Sequence, residues 1–296
     1  MNVAVIAHAG KSLGGGLDEL RRVLAREGVE TPDWREVPKS RKAPKQLRKA
    51  VEAGADLVFV WGGDGMVQRC VDTLAGSDVT LAVIPAGTAN LFASSLDIPQ
   101  DIAAAVRIGL TGTRRRFDLG KVAGEHFAVM AGAGFDAEMI DDADRGMKSR
   151  AGKLAYFGTA VRHVGDDPVE ATVTLDGKEW FSGPATCVLL GNIGTIAGGI
   201  EAFDDASAFD GRLEVGVSTA QGALQWARTL GRMAFGRTDD SPFVQVGSAR
   251  KVKVRFASPV LLELDGGART PVRKLKARAV RAAVSIAVPG PAPAAA

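Results

Sequence analysis

The chain changes texture before its midpoint. From Met1 to about Arg116, short apolar runs alternate with segments whose apolar residues recur every three or four positions. Val3–Ala7, Leu57–Trp61 and Leu81–Ile84 are unbroken apolar runs of strand length, the pattern of strands covered on both faces. Between them Leu17, Leu20 and Leu24 fall on one helical face, as do Leu47, Ala50 and Val51. Gly28 and Gly54 stand where those helices should stop. Strand and helix in alternation predict an α/β domain over residues 1–116, with a parallel sheet and covering helices.

From residue 117 to about 279 the period shortens to two. Val169, Ala171, Val173 and Leu175 alternate with polar neighbours up to Asp176-Gly177, a hairpin turn by its sequence, and further strands are expected near 184–191, 211–218 and 250–264. This is antiparallel β texture, interrupted by two helical segments. One runs from Phe135 to about His163, and the other from Ala220 to Phe235 with Leu224, Ala227, Leu230 and Ala234 on one face. The Pro/Ala-rich residues 289–296 read as a disordered tail.

Candidate chemistry gathers at two Gly-rich turns, each directly after an apolar run: Trp61-Gly62-Gly63-Asp64-Gly65 and Pro85-Ala86-Gly87-Thr88-Ala89-Asn90. Ligands of open α/β sheets bind outside the carboxyl ends of strands, where glycine lets backbone N–H groups approach phosphate oxygens. Two such turns imply one shared crevice. Asp64 would repel phosphate directly, so its natural partners are Mg²⁺ bridging phosphates, a water or a hydroxyl, which points to phosphoryl transfer. Each turn taken alone could equally be a tight structural connection.

Composition narrows the classes. The 296 residues suit two domains, and 46% apolar residues suffice for their cores. No apolar run approaches the roughly 18–20 residues of a membrane span, and the N-terminus lacks a signal-peptide pattern, so a cytoplasmic location is expected. Cys70 and Cys187 are unpaired in spacing, and His8, His126 and His163 are scattered, which favours neither disulfides nor zinc. A net charge of +3 is too small a bias for a nucleic-acid binder. Local basic clusters, Lys39–Lys42 with Lys45, Arg114–Arg116, and Lys251, Lys253 and Arg255, are either solvated faces or a peripheral contact with anionic headgroups.

At these turns the sequence resembles the lipid kinases that include diacylglycerol and sphingosine kinases, with the NAD kinases as distant relatives. Gly62, Gly63, Asp64 and Gly65 match a Gly-Gly-Asp-Gly-Thr motif, and Gly87, Thr88, Asn90 and Ala93 match Gly-Thr-x-Asn-x-x-Ala. Asp118-Leu119-Gly120, Gly132–Ala137, Asp210-Gly211 with Leu213–Val215, and Asp265-Gly266 follow in the family's order. Three departures stand out. His8-Ala9-Gly10-Lys11-Ser12 replaces an Asn-Pro-x-Ser-Gly turn, Met66 replaces the motif Thr, and Gly267 replaces the Glu of Asp-Gly-Glu.

The resemblance implies a Rossmann-like, NAD-kinase-like first domain, completed by a last element around 280–288, and a β-sandwich second domain. It implies ATP as cofactor, with phosphates held at Gly62–Gly65, Gly87, Thr88 and Asn90 and assisted by Gly10 and Ser12, and Mg²⁺ neutralising developing charge. A lipid hydroxyl, diacylglycerol first among acceptors, would attack the γ-phosphorus, with Asp265 as base and Asp64 acting through Mg²⁺ or water, the two roles being interchangeable at this stage. Asp210, with the backbones of Ser207 and Arg212, would hold a structural Mg²⁺, and Asp136 would face the lipid headgroup; a plain Asp-Gly turn and a helix cap are the respective alternatives. The expected partner is a lipid at the inner face of the membrane, and a homodimer is left open. A noncatalytic binder and a kinase of a soluble substrate such as NAD are the alternatives.

Overall fold

The computed structural model describes residues 1–134, 168–196, 200–233 and 241–290. The chain divides into two compact units, residues 1–117 with 282–296 and residues 118–281.

The first unit is built on parallel strands β1 (Val3–His8), β2 (Asp33–Val37), β3 (Leu57–Gly62) and β4 (Thr80–Pro85), joined by α1 (Gly16–Arg26), α2 (Ala43–Glu52) and α3 (Asp64–Leu74). Short α4 (Leu91–Ser95) and α5 (Ile102–Thr111) follow. The strand order is β2-β1-β3-β4, all parallel. The β3 and β4 residues are buried throughout, as unbroken apolar runs require. Leu20 and Leu24 on α1, and Leu47 and Ala50 on α2, cover the sheet fully buried. Both helices end on a left-handed glycine, Gly28 (φ 84°) and Gly54 (φ 90°). In each case the next residue's N–H closes back onto the helix, Val29 onto Leu24 and Ala55 onto Ala50.

Chain order and spatial order part between β1 and β3. From β1 the chain crosses to β2 on one side, then returns past β1 to β3 on the other. Such a switch point leaves a crevice at the carboxyl ends of its two strands. The loops after β1, β3 and β4 therefore share one edge of this sheet.

The second unit is a β-sandwich. One layer orders β14 (Val244–Ala249), β13 (Leu213–Ser218), β10 (Cys187–Gly191), β7 (Met130–Ala133), β16 (Leu262–Leu264) and β17 (Gly267–Ala268), antiparallel at every pairing. The other pairs the start of β18 (Val272–Val288) with β15 (Lys251–Val260), β8 (Val169–Leu175) and β9 (Lys178–Ala185), also antiparallel. Val173, Val252, Val254 and Leu275 from the second layer pack with Val188, Leu190, Val215 and Leu262 from the first in one buried cluster. Asp176 (φ 47°) and Gly177 (φ 92°) form the two-residue turn between β8 and β9, where left-handed backbone is needed at both positions.

Two sequence expectations change in detail. The run 250–264 is not one strand: it leaves one layer after Val260 and enters the other at Leu262, with an irregularity in register near Pro259 that turns the chain. The segment expected at 280–288 is the end of a single 17-residue strand, β18, whose Ser285 and Ile286 lie parallel to Thr80 and Leu81 of β4. The helix expected over 220–235 is α6 (Gly222–Met233). The helix from Phe135 to His163 and most of the 289–296 tail fall outside the described residues. Cys70 and Cys187 are buried, and desolvation pushes both thiols up to about 12, so both are inert core residues.

Candidate active site

The two Gly-rich turns meet through their main chains. A Cβ placed on Gly87 would stand 2.4 Å from the Gly63 Cα, and one on Gly63 would stand 2.9 Å from the Gly87 Cα. Neither position can hold a side chain while the turns stay together. The Ala86 N–H donates to the Gly62 carbonyl at 3.0 Å, continuing the β3–β4 pairing into the loops. Glycine at both positions thus exposes a seam of bare backbone at the carboxyl edge of the sheet, the surface a phosphate chain requires.

Asp64 opens α3 immediately behind this seam. Its Oδ1 accepts from the Phe92 N–H at 3.2 Å, tying the first turn to α4 after the second. Burial pushes the carboxyl above the ordinary carboxylate range, and N–H groups of Phe92, Leu91 and Asn90 pull it part of the way back. A cation beside it would favour the charged form in the same sense as those N–H groups. The donor chemistry, one hard carboxylate beside backbone groups suited to phosphate, fits a magnesium–nucleotide complex.

Asn90 holds the second turn together from within. It is buried, in the left-handed region (φ 50°), with its amide turned back on its own loop. Oδ1 accepts from Gly87 N–H at 2.9 Å, and Nδ2 donates to the Gly87 carbonyl at 2.9 Å. These bonds fix the shape of the second Gly-rich turn. Thr88, between them, is exposed. Gln100, which no sequence pattern singles out, also reaches the Gly87 carbonyl at 3.3 Å.

Gly10 and Ser12 lie exposed on the third loop of the same edge, after β1. The Gly10 N–H donates to His8 Nδ1 at 3.1 Å, and Trp61 at the end of β3 donates from Nε1 to the Lys11 carbonyl at 3.2 Å. Partial burial, then the Lys11 charge, lower the His8 pKa, in keeping with a neutral imidazole that accepts this bond. Met66, at the family's Thr position, is 1% exposed, and a Cβ on Gly62 would meet its Cβ at 2.8 Å. Its side chain packs under the turn as core.

Asp265 belongs to the second unit, at the turn between β16 and β17. Asp265 (φ 45°) and Gly266 (φ 78°) repeat the Asp-Gly turn of Asp176-Gly177. The carboxylate is 6% exposed; Oδ2 accepts from Ala128 N–H at 2.7 Å, and Oδ1 from Val129 and Met130 N–H at 2.9 Å each. The sequence reading put Asp265 forward as the base, with Asp64 interchangeable in that role. Its carboxylate anchors the loop before β7, whose three N–H groups converge on it. Nearby, Arg269 makes a bidentate pair with Glu125 of β6 (Glu125–Phe127) at 2.8 Å per bond, and its Nη1 donates to the Gly267 carbonyl at 2.9 Å. A Cβ on Gly267 would lie 2.9 Å from Arg269 Nη1, so the guanidinium fills the space beside the glycine. Glu263, missed by sequence reasoning, is pushed up to about 7, first by burial and then, against the Gly266 N–H, by the Asp265 charge.

Asp210 is exposed, and its Oδ1 accepts from the Arg212 N–H at 2.8 Å. The Arg212 side chain runs to Ser248, donating to Oγ at 2.8 Å, and Ser207 is partly buried. Among the described residues no group of three or more His, Cys, Asp or Glu side chains is arranged to hold a metal. The Gly211 N–H donates to the buried Asp118 carboxylate at 2.6 Å. Asp136 lies outside the described residues.

Comparison with known proteins decides the family. Residues 2–122 match the diacylglycerol kinase catalytic domain, and residues 129–288 match the YegS C-terminal NAD kinase beta sandwich-like domain. The chain belongs to the diacylglycerol kinase family of lipid kinases. A diacylglycerol kinase of Bacillus subtilis (strain 168) is 31% identical over 215 residues, 71% of each chain. A protein named as a YegS-like lipid kinase, from Stenotrophomonas maltophilia, is 30% identical over 87% of each. In fold, a diacylglycerol kinase of Bacillus anthracis superposes with a TM-score of 0.78 at 21% identity, covering 97% of this chain and 96% of that one. An NAD kinase of Archaeoglobus fulgidus, solved with ATP, gives 0.51 at 11% identity over 97% and 93%. Both units are therefore those of the family, and the fold is shared with NAD kinases.

Proposed function

We propose that this chain transfers the γ-phosphate of ATP to the hydroxyl of a membrane lipid, diacylglycerol being the acceptor that its named relatives favour. The observation that carries the reading is the Gly63–Gly87 contact, which leaves two turns of bare backbone side by side at the switch-point edge of a parallel sheet. Backbone N–H groups there hold phosphates, the Thr88 hydroxyl adds a donor, and the loop of Gly10 and Ser12 borders the same edge. Mg²⁺ bound with the nucleotide supplies charge neutralisation. Asp64 keeps that charge and the two turns in register.

Phosphoryl transfer through a loose transition state needs positioning more than strong base catalysis, since the attacking hydroxyl keeps its proton until late. On the acceptor side we assign Asp265 with the loop it gathers, either as the final proton acceptor or through the position of residues 128–130. The Asp210 turn is assigned a structural cation held by one carboxylate and backbone carbonyls, a donor set of the kind magnesium accepts with water. Asp136 is assigned to the lipid headgroup.

The test is transfer of labelled γ-phosphate from magnesium–ATP to diacylglycerol, sphingosine and NAD in mixed micelles, with Asp64→Asn as control. Label in diacylglycerol that depends on Asp64 supports the reading. Label in NAD alone, or in no acceptor despite ATP binding, refutes it.

A further inference from the structure

The outer face of the second unit's β18–β15 layer carries a two-by-three array of cations. Lys251, Lys253 and Arg255 alternate with buried Val252, Val254 and Phe256 along β15, and Lys274, Lys276 and Arg278 alternate with buried Leu275 and Ala277 along β18. The register sets them directly opposite one another: Lys251 faces Arg278, Lys253 faces Lys276 and Arg255 faces Lys274. All six are exposed. Opposed residues in an antiparallel pair have Cβ atoms about 5 Å apart, and successive outward residues are about 7 Å apart along a strand. Three like-charged pairs in a row disfavour the fold, and among the described residues no ion pair is recorded for any of the six.

The neighbouring strands leave the array largely uncompensated. Beside β15, the outward β8 residues are Thr174 opposite Lys253 and Thr172 opposite Arg255. The carboxylates of this layer lie on its β9 side, with Glu170 towards one end of β8, Glu179 of β9 directly opposite Thr174, and Asp176 at the turn accepting from the N–H groups of Arg250 and Lys251. The aromatic residues of β9, Trp180 and Phe181, pack on the buried core. The outer face therefore presents six cations beside threonines, with Glu179 beyond Thr174 and no aromatic platform among the described residues.

We infer that this face is the membrane-docking surface of the protein and that it seats on a bilayer rich in anionic headgroups. A plane of fixed cations matches a plane of phosphates, whereas single-stranded nucleic acid is held by interleaved aromatic residues that this face lacks. Each Lys or Arg near an anionic leaflet contributes about 1 kcal/mol, so six give strong, salt-sensitive attachment without a membrane span. Among the described residues no helix is long and apolar enough to cross a bilayer. The choice of a lipid surface rests on the lipid-kinase reading above, but its test does not require turnover.

The experiment is co-sedimentation of the full chain with vesicles of phosphatidylcholine alone and of phosphatidylcholine mixed with phosphatidylglycerol. It compares the unmodified protein, a variant with all six residues changed to Gln, and a control in which Lys39, Arg41 and Lys42 are changed to Gln. The unmodified protein and the control bind the anionic vesicles and are released by high salt. The six-residue variant binds at least about a hundredfold more weakly, the expected consequence of losing several such contacts. It also melts no lower than the unmodified protein and phosphorylates a short-chain, monomerically soluble diacylglycerol at the same rate. Retention of vesicle binding by the six-residue variant, loss of it in the control, or capture of an oligonucleotide in preference to vesicles would each overturn the assignment. Failure to phosphorylate any acceptor would count against the kinase reading and leave the vesicle result to decide the docking surface.

Discussion

Two turns bearing carboxylates, Gly62–Gly65 in the first unit and Asp265–Gly267 in the second, are built by opposite means. In the first, side chains are removed so that two backbones touch, and the carboxylate of Asp64 reaches across to the next helix. In the second, a carboxylate is buried so that three backbone N–H groups can converge on it. The first arrangement leaves a backbone surface open to a ligand, and the second turns main-chain donors inward. The same Asp-Gly dipeptide at 176–177 shows the structural use of the second device without burial: its exposed carboxylate accepts from the N–H groups of Arg250 and Lys251.

This contrast can be broken by substitution. Asp64→Asn should lower turnover by at least about a hundredfold, the lower range for a group acting on the reacting centre, while moving the melting temperature little. Steady-state phosphate transfer beside a thermal melt checks both halves. Asp265→Asn should instead destabilise the fold by about 1–3 kcal/mol, because an amide NH₂ would face N–H donors and leave at least one unsatisfied. Denaturant unfolding measures this. A stable Asp265→Asn protein with turnover abolished would instead favour Asp265 as the final proton acceptor.

Glu263 gives the comparison a pH axis. Its carboxyl is raised from the ordinary 4.5 to about 7, chiefly by burial. Between those values the unfolded chain has lost the proton that the folded chain keeps, so stability attributable to this group is full below pH 4.5 and falls as pH rises through about 7. The loss is up to about 3 kcal/mol, and Glu263→Gln should recover it at pH 8 while changing little at pH 4. Equal unfolding midpoints for the two proteins at pH 8 would show that the carboxyl is not strained. The smallest change should come from Gly65→Ala. A Cβ there meets no protein atom within 4 Å, and the residue needs no left-handed backbone, so stability should stay within about 0.5 kcal/mol of the original.

What the sequence made legible follows the same division. Continuous apolar runs and terminal glycines disclosed the parallel sheet of the first unit, because burial on both faces and left-handed helix ends each restrict residue type. The Gly62–Gly65 and Gly87–Asn90 turns were legible for the same reason, and the alternation over 169–175 disclosed the antiparallel layer. The Asp265 anchor was not, since its partners are main-chain N–H groups of Ala128, Val129 and Met130, and side-chain identity there carries no trace of the bond. Nor was the change of layer between Val260 and Leu262, where one apolar alternation serves two sheets. Asn90 was visible as a polar residue in the right loop, but its inward amide depends on a left-handed backbone that the sequence does not announce. The cationic array was half visible: β15 shows its alternation in the sequence, whereas its pairing with Lys274, Lys276 and Arg278 needs the register.

The central claim, that bare backbone at the Gly63–Gly87 seam holds the nucleotide, is tested most directly by calorimetric binding of magnesium–ATP to Gly87→Ala beside the unmodified protein. The added methyl at Gly87 must push against the Gly63 Cα at 2.4 Å, so ATP affinity should fall. The expected loss is about tenfold to a hundredfold, from the 1–3 kcal/mol that such overpacking costs. Undiminished ATP binding by a folded Gly87→Ala protein would contradict the account.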